Sequence, residues 1–212
     1  MPEIIKIAPD DPDERLIARA VRIMEEGGVI VYPTETFYGL GANAEDEEAV
    51  ERIFLIKGRD AGSPLPVIIG SEKELALFTE EIPPKARLLM REFWPGALTL
   101  VFRASPRIPV RLTAGTGKIG IRISSHPLAA MLAKSMAHPL IATSANPSGS
   151  PSCTRAREVI RCLGDRIDAV IDGGETAGGH GSTILDVTVD PPALLREGAI
   201  PSVLFQNVFK KT

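Results

Sequence analysis

YPTETFYGLGANA, residues 32–44, decides how the chain is read. The apolar run VIVY (29–32) leads into it as a short buried strand, and Pro33 ends the run because proline has no amide to give to a ladder. Thr34, Glu35 and Thr36 then offer two hydroxyls and a carboxylate, and Gly39 and Gly41 permit backbone geometries closed to other residues. Such a turn can hold an amino acid, with hydroxyls and backbone groups at one end and an acidic side chain near the ammonium. A purely structural crossover loop is the other reading. Gly39, Gly41 and Ala44 also fit the spacing GxGxxA, but residues 33–38 separate the strand from the first glycine. A dinucleotide fingerprint begins at the strand end and opens a helix, so a Rossmann reading is set aside.

Working outward, helices and strands alternate. A first helix is expected from near Asp11, with Pro12 at its first position, Glu14 at its third and a stripe of Leu16, Ala20, Ile23 and Met24 ending at Gly27-Gly28. Further helices are expected over 46–57, 71–77, 84–92, 126–136 and 155–163. Strands are expected at 66–69, 98–102, 119–123, 140–142, 169–171 and 182–189. This mixture predicts an α/β fold with helices packed on a twisted sheet. Parallel and antiparallel neighbours are not separable from the pattern. Without a long polar linker, repeat or low-complexity tail, the economical organisation is a single domain over residues 10–205.

Composition narrows the function class. The 212 residues carry a net charge of -3, which gives no sign of a general nucleic-acid binder. No apolar run is long enough to span a bilayer, and the N-terminus lacks the basic and apolar regions of a secretory signal, so a cytoplasmic protein is expected. Cys153 and Cys162 are too few for a disulfide framework and read as ordinary thiols, although a bond between them stays open. Lys57, Arg59, Arg87, Arg91, Arg103, Arg107, Arg111, Lys118 and Arg122 crowd the middle of the chain, where some can line an anion site.

Two more segments carry chemistry. In KGRDAGSPLPV (57–67), Lys57 extends the apolar face of Val50, Ile53 and Phe54, so it must snorkel or reach a partner over the sheet edge. With extended chain after Lys57, Arg59 points the same way, and the pair can neutralise a polyphosphate; a solvated helix end is the alternative. In IATSANPSGSPS (141–152), Ser144 and Asn146 stand two apart at a strand end and can donate to a phosphate or bind a carbonyl, unless they only build an Asn-Pro turn. GTGK (115–118) lacks the Ser or Thr of a phosphate loop, and Leu112 stands where its first glycine belongs. His126, His138 and His180 share no metal-ligand spacing, and no nucleophile elbow is present. Catalysis by position and electrostatics is therefore expected, with no covalent enzyme intermediate and no protein metal site. GGHGST (178–183) and LLREGAI (194–200) bring Ser182 and Arg196 as further phosphate or ribose contacts, or as a turn and a solvated charge.

YPTETFYGLG, KGR with a following PL, FWPGALTL, GIRISSHPLA, IATSANPSG, the STI of 182–184 and LLREGAI, in this order, resemble the YrdC/Sua5 family of threonylcarbamoyl-AMP synthases over roughly residues 14–200. The resemblance implies an open, twisted mixed sheet with flanking helices and a concave, positively charged cavity. It implies a nucleotidyltransferase that forms threonylcarbamoyl-AMP and pyrophosphate from L-threonine, bicarbonate and ATP, with Mg²⁺ arriving on the nucleotide. The family's KxR and SxN signature falls on Lys57, Arg59, Ser144 and Asn146, expected to face the nucleotide and its phosphates and to be catalytic. Ser182 and Arg196 are expected at the nucleotide as well. Thr34, Thr36, Tyr38, Arg122 and Thr143 are expected at the substrate site. The product would pass to threonylcarbamoyl-transferase partners that modify adenosine-37 of tRNA. Asp60 and Ser63 depart from the common family pattern, and the chain resembles the short form without the C-terminal Sua5-type extension. The competing expectations are carbamoyl-adenylate chemistry without threonine and a non-catalytic double-stranded RNA-binding paralogue.

Overall fold

The computed structural model describes residues 1–58 and 62–210. In chain order these form β1 (Glu3–Lys6), α1 (Glu14–Glu25), β2 (Ile30–Pro33), β3 (Tyr38–Gly41), α2 (Glu47–Lys57), β4 (Val67–Ile68), α3 (Leu75–Phe78), α4 (Pro84–Phe93), β5 (Leu98–Arg103), β6 (Lys118–Arg122), α5 (Pro127–Ser135), β7 (Leu140–Ile141), β8 (Thr143–Ser144), α6 (Ala156–Leu163), β9 (Ala169–Asp172), β10 (Thr183–Asp186), β11 (Ala193–Arg196) and α7 (Val203–Lys210).

Local chemistry sets most boundaries. α1 begins at Glu14 because the carboxylate of Asp13 accepts the amide of Arg15 at 2.8 Å, so the cap is Asp13 and not Asp11. Asp46 caps α2 by accepting the amides of Glu48 and Ala49. The same helix closes on Gly58, whose φ of 57° is left-handed. The chain therefore turns directly after Lys57 instead of running extended. At α5 the cap is the His126 ring.

Two mixed sheets take the place of the single expected sheet. One has five strands in the order β1-β9-β2-β3-β8, the other six in the order β11-β10-β5-β6-β4-β7. In the first, β1, β9 and β2 run parallel, and β2 and β3 form an antiparallel hairpin with Pro33 opposite Tyr38. The glycine-rich stretch expected as a loop is thus largely a strand. Gly41 is required there by packing: a Cβ would lie 2.6 Å from the Tyr32 ring. In the second sheet β10-β5 and β4-β6 are parallel, and β5-β6, β4-β7 and β10-β11 antiparallel.

The sheets meet where one segment serves both. Leu140 and Ile141 pair with Ile68 and Val67 of β4, and two residues later Thr143 and Ser144 pair with Leu40 and Gly39 of β3. Between them the amide of Ala142 donates to Pro66 O at 2.8 Å. The amide of Ile141 donates to Ala42 O, and the Tyr32 hydroxyl donates to Ile141 O at 2.9 Å. One apolar cluster packs α2, α4 and α6 against the sheets; a second holds α1 and α5 over Ile5, Ile30, Tyr32 and Ile171. No described helix is long and apolar enough to cross a membrane.

Tyr32 is fully buried, so its hydrogen bond to Ile141 has no water to replace it. Tyr32→Phe is expected to cost about 1–3 kcal/mol in a urea titration. An unchanged midpoint would show that the crossing does not need the hydroxyl.

Candidate active site

A cavity of about 700 Å³ opens beside the crossing, walled by both sheets and the end of α2. Thr34, Thr36, Tyr38, Lys57, Arg122, Thr143, Ser144, Asn146, Ser182 and Arg196 all line it. Each expected site residue is there except Arg59, which, like Asp60, lies outside the described residues.

Lys57 is the centre of one wall. Its side chain continues the buried face of α2 and is 4% exposed. The ammonium donates to Ser144 O at 2.7 Å, Ser144 Oγ at 3.2 Å and Asn146 Oδ1 at 3.1 Å. Around it the amide of Ser148 donates to Lys57 O, and Asn146 Nδ2 donates to Ser150 O. The turn after Ser144 is thereby wrapped around a cation, and Ser148, Gly149 and Ser152 of that turn also line the cavity.

The hairpin tip forms a second wall. Thr34 Oγ1 donates to Phe37 O at 2.7 Å, accepts the amide of Thr36 and sits 3.2 Å from Thr36 Oγ1. Tyr38 lines the cavity, and its hydroxyl donates to Gly174 O at 2.7 Å. Burial, helped by Asp172, pushes that phenol up to about 12. Tyr38 thus anchors the glycine-rich segment that carries His180, and Gly178 of that segment donates its amide to Thr36 O.

Glu35 does not stand ready for an ammonium. It is ion-paired with Arg122 of β6, and Ser124 Oγ donates to its second oxygen. The amide of His126 in turn donates to Ser124 Oγ at 3.2 Å, and burial holds the His126 imidazole below its ordinary range against the pull of Glu35.

The late motifs form the far wall. Arg196 donates through Nη2 to Ser182 O at 2.7 Å and to Ser182 Oγ at 3.2 Å, and Ser182 Oγ lies 2.9 Å from Thr99 Oγ1. Gly198 allows this closure: a Cβ there would fall 2.2 Å from Gly181 O. By contrast Gly179, which lines the cavity, has open space around it and a φ of +77°.

Lys57, Arg122 and Arg196 supply cations to the lining and Glu197 a carboxylate. Arg107, Arg111 and Lys118, from the same basic stretch of sequence, are instead paired with Glu45, Glu51 and Asp186. Residues 113–117 stay outside the lining, which takes only Arg122 from that region. Phe37, Pro66, His180 and Ile184 were not named among the expected contacts; the first three lie inside the segments 32–44, 57–67 and 178–183 singled out in the sequence, and Ile184 stands two positions from Ser182 along the expected strand. Among the described residues no group of three or more His, Cys, Asp or Glu is placed to hold a metal ion. Glu197, the lining carboxylate, already accepts the amide of Ser202. Cys153 and Cys162 are free thiols with sulfurs 3.7 Å apart, and burial, with the contact to Cys162, pushes Cys153 up to about 12.

The family described as "Telomere recombination" (Sua5_yciO_yrdC) matches residues 22–198. The chain is 44% identical over 189 residues to the threonylcarbamoyl-AMP synthase of Pyrococcus abyssi, covering 89% of this chain and 56% of that protein. It superposes on the crystal structure of P. abyssi Sua5 complexed with L-threonine with a TM-score of 0.93 at 42% identity, covering 97% of this chain and 60% of that one. The crystal structure of Escherichia coli YciO matches with a TM-score of 0.86 at 34% identity, covering 94% and 97%. The chain thus spans little more than half the length of the first curated relatives it matches.

The protein's 2 tyrosines offer a check on the cavity floor. Burial raises both, Tyr38 to about 12 and Tyr32 further still. Free tyrosine titrates near about 10. Because the fold favours the neutral phenol, the stability this gives Tyr38 is complete below about pH 10 and is lost as pH rises through about 12. A spectrophotometric titration is expected to show no phenolate step near pH 10 until the protein unfolds. A reversible step there in folded protein would contradict the closed floor.

Proposed function

The chain belongs to the Sua5/YciO/YrdC family, and on that premise we propose that it is an L-threonylcarbamoyladenylate synthase. The observation that carries the reading is the buried Lys57 ammonium knotted to Ser144 and Asn146 in the wall of a cavity that also gathers Arg122, Ser182 and Arg196 from distant segments. A volume of about 700 Å³ suits a nucleotide together with a small amino acid. The likeness to the P. abyssi protein bound to L-threonine supports that amino acid.

In this reading the threonine amine and bicarbonate condense to a carbamate. Its carboxylate then attacks the α-phosphorus of ATP, and pyrophosphate leaves as the mixed anhydride forms. Lys57, from a low-dielectric wall where such charge–charge terms are strong, offsets the charge spreading over the phosphates, and Arg59 is proposed to share that role. Ser144 and Asn146, locked by the same ammonium, keep the reacting groups in line. Thr34, Thr36, Arg122 and Thr143 hold the amino acid, Tyr38 shapes its floor, and Ser182 and Arg196 hold the nucleotide. The described residues gather no group of three or more His, Cys, Asp or Glu for Mg²⁺, and the cation is proposed to enter on ATP, ligated by phosphate and water. The domain over residues 10–205 would carry the reaction in the cytoplasm. Its unstable product would be consumed by a threonylcarbamoyl transferase acting on adenosine-37 of tRNA.

ATP-dependent pyrophosphate release, measured with threonine and bicarbonate each present or omitted, tests this directly. Release is expected to need both, with an adenylate of the threonylcarbamoyl mass. A protein that binds ATP but yields no such adenylate is not this synthase. Lys57→Ala and Ser144→Ala, checked for folding by circular dichroism, are each expected to lower kcat by about 100-fold or more. A loss below tenfold would remove the knot from the chemistry.

A further inference from the structure

Arg122 faces the cavity, yet what fixes it lies behind it. Its side chain is 7% exposed and that of Glu35 is 13% exposed, and the two are joined through Arg122 Nη1 and Glu35 Oε1. Arg122 lines the cavity whereas Glu35 does not. Glu35 Oε2 is occupied by the Ser124 hydroxyl, which the amide of His126 orients in turn. Both carboxylate oxygens are therefore committed, and the carboxylate has no freedom to follow the guanidinium if it moves. The pair also bridges architecture. Glu35 sits at the tip of the β2-β3 hairpin in one sheet and Arg122 at the end of β6 in the other.

We propose that Glu35 is a positioning residue for amino-acid binding: it pins one arm of the Arg122 guanidinium so that the rest of the fork meets the substrate's α-carboxylate. The inference rests on reading the cavity as an amino-acid-adenylating site. A guanidinium is a planar fork that recognises a carboxylate through two parallel donors, and its selectivity depends on the plane being fixed. The Nη1 contact uses one end of the fork and leaves the donors on Nε and Nη2 outside the pair. A long arginine side chain without such a partner samples many rotamers, and ordering it on binding weakens affinity. Glu35 also keeps the local charge balanced. An incoming carboxylate then completes a Glu–Arg–carboxylate array instead of meeting a bare cation that any phosphate could capture. Glu35 thus acts on which end of the substrate set Arg122 accepts, and does so without touching it.

The test is calorimetric titration of L-threonine and, separately, of an ATP analogue into wild type, Glu35→Gln, Arg122→Lys and the double variant. Glu35→Gln is expected to weaken threonine about tenfold and to leave the nucleotide within about twofold. In the Arg122→Lys background the same change should have no further effect on threonine, because the residue works through the fork. Glu35→Asp, which keeps the charge, is expected to recover part of the loss and serves if the glutamine variant does not fold. Equal weakening of threonine and nucleotide, additive effects in the double variant, or unchanged threonine binding in folded Glu35→Gln would each overturn the positioning role. Wild type that binds the nucleotide but no threonine would overturn the amino-acid reading itself, and the inference with it.

Discussion

A buried ammonium group at the join of two sheets is the constraint on which the site depends. Lys57 is held in the interior by a carbonyl, a hydroxyl and an amide oxygen, all from residues 144–146. A cation in that position would be costly without such acceptors. The acceptors are available only because the chain leaves β7 in one sheet and enters β8 in the other within a few residues. Helix, crossing and cation therefore define one another: the crossing presents the oxygens, the cation fixes the turn after it, and the turn becomes a wall of the cavity. The other wall elements follow the same logic of mutual restraint, with Arg196 closing on Ser182 and Glu35 backing Arg122.

This economy explains why the cavity can be polar and still well shaped. Apart from the end of α2, its walls are short strands and turns, elements that lack the rigidity of a long helix. Shape comes from side chains that hydrogen-bond across sequence separations of tens of residues, such as Lys57 to Asn146 and Arg122 to Glu35. Polar groups locked in advance lose little freedom when a charged ligand arrives, which is the physical basis of electrostatic preorganisation. Among the described residues, no buried side-chain nitrogen or oxygen lacks a partner.

Much of this was legible in the sequence. Lysine on an otherwise apolar helical face is a conflict that only a buried partner or a snorkelling route resolves, and here the buried partner is present. Serine and asparagine two apart after LIA marked a strand end, and the structure brings both to that lysine. Other features were illegible for identifiable reasons. β3 reads as a loop because Gly39 and Gly41 have low strand propensity, but tertiary packing of Tyr32 against the bare backbone outweighs it. Glu35 reads as a ligand group because nothing local reveals an arginine far along the chain. β1 and α7 went unrecognised: β1 adds as an edge strand beside β9, and α7 packs through Phe205 against Phe93. Both are terminal elements set by long-range contacts that leave no local signature. Splitting the strands into two sheets likewise depends on a crossing only one residue long, Ala142, which no periodicity can flag.

Two glycines on or beside the cavity show how differently the same residue can be constrained. At Gly198 the obstacle is space, since even a methyl group would overlap the carbonyl of Gly181. At Gly179 there is room for a side chain, and only the left-handed backbone resists one. A saturation library over the two positions would therefore diverge: position 198 should return glycine alone, whereas 179 should also admit asparagine and aspartate, which tolerate that backbone. Sequence drift in this protein thus has an open gate on the glycine-rich segment and a closed one directly beneath it.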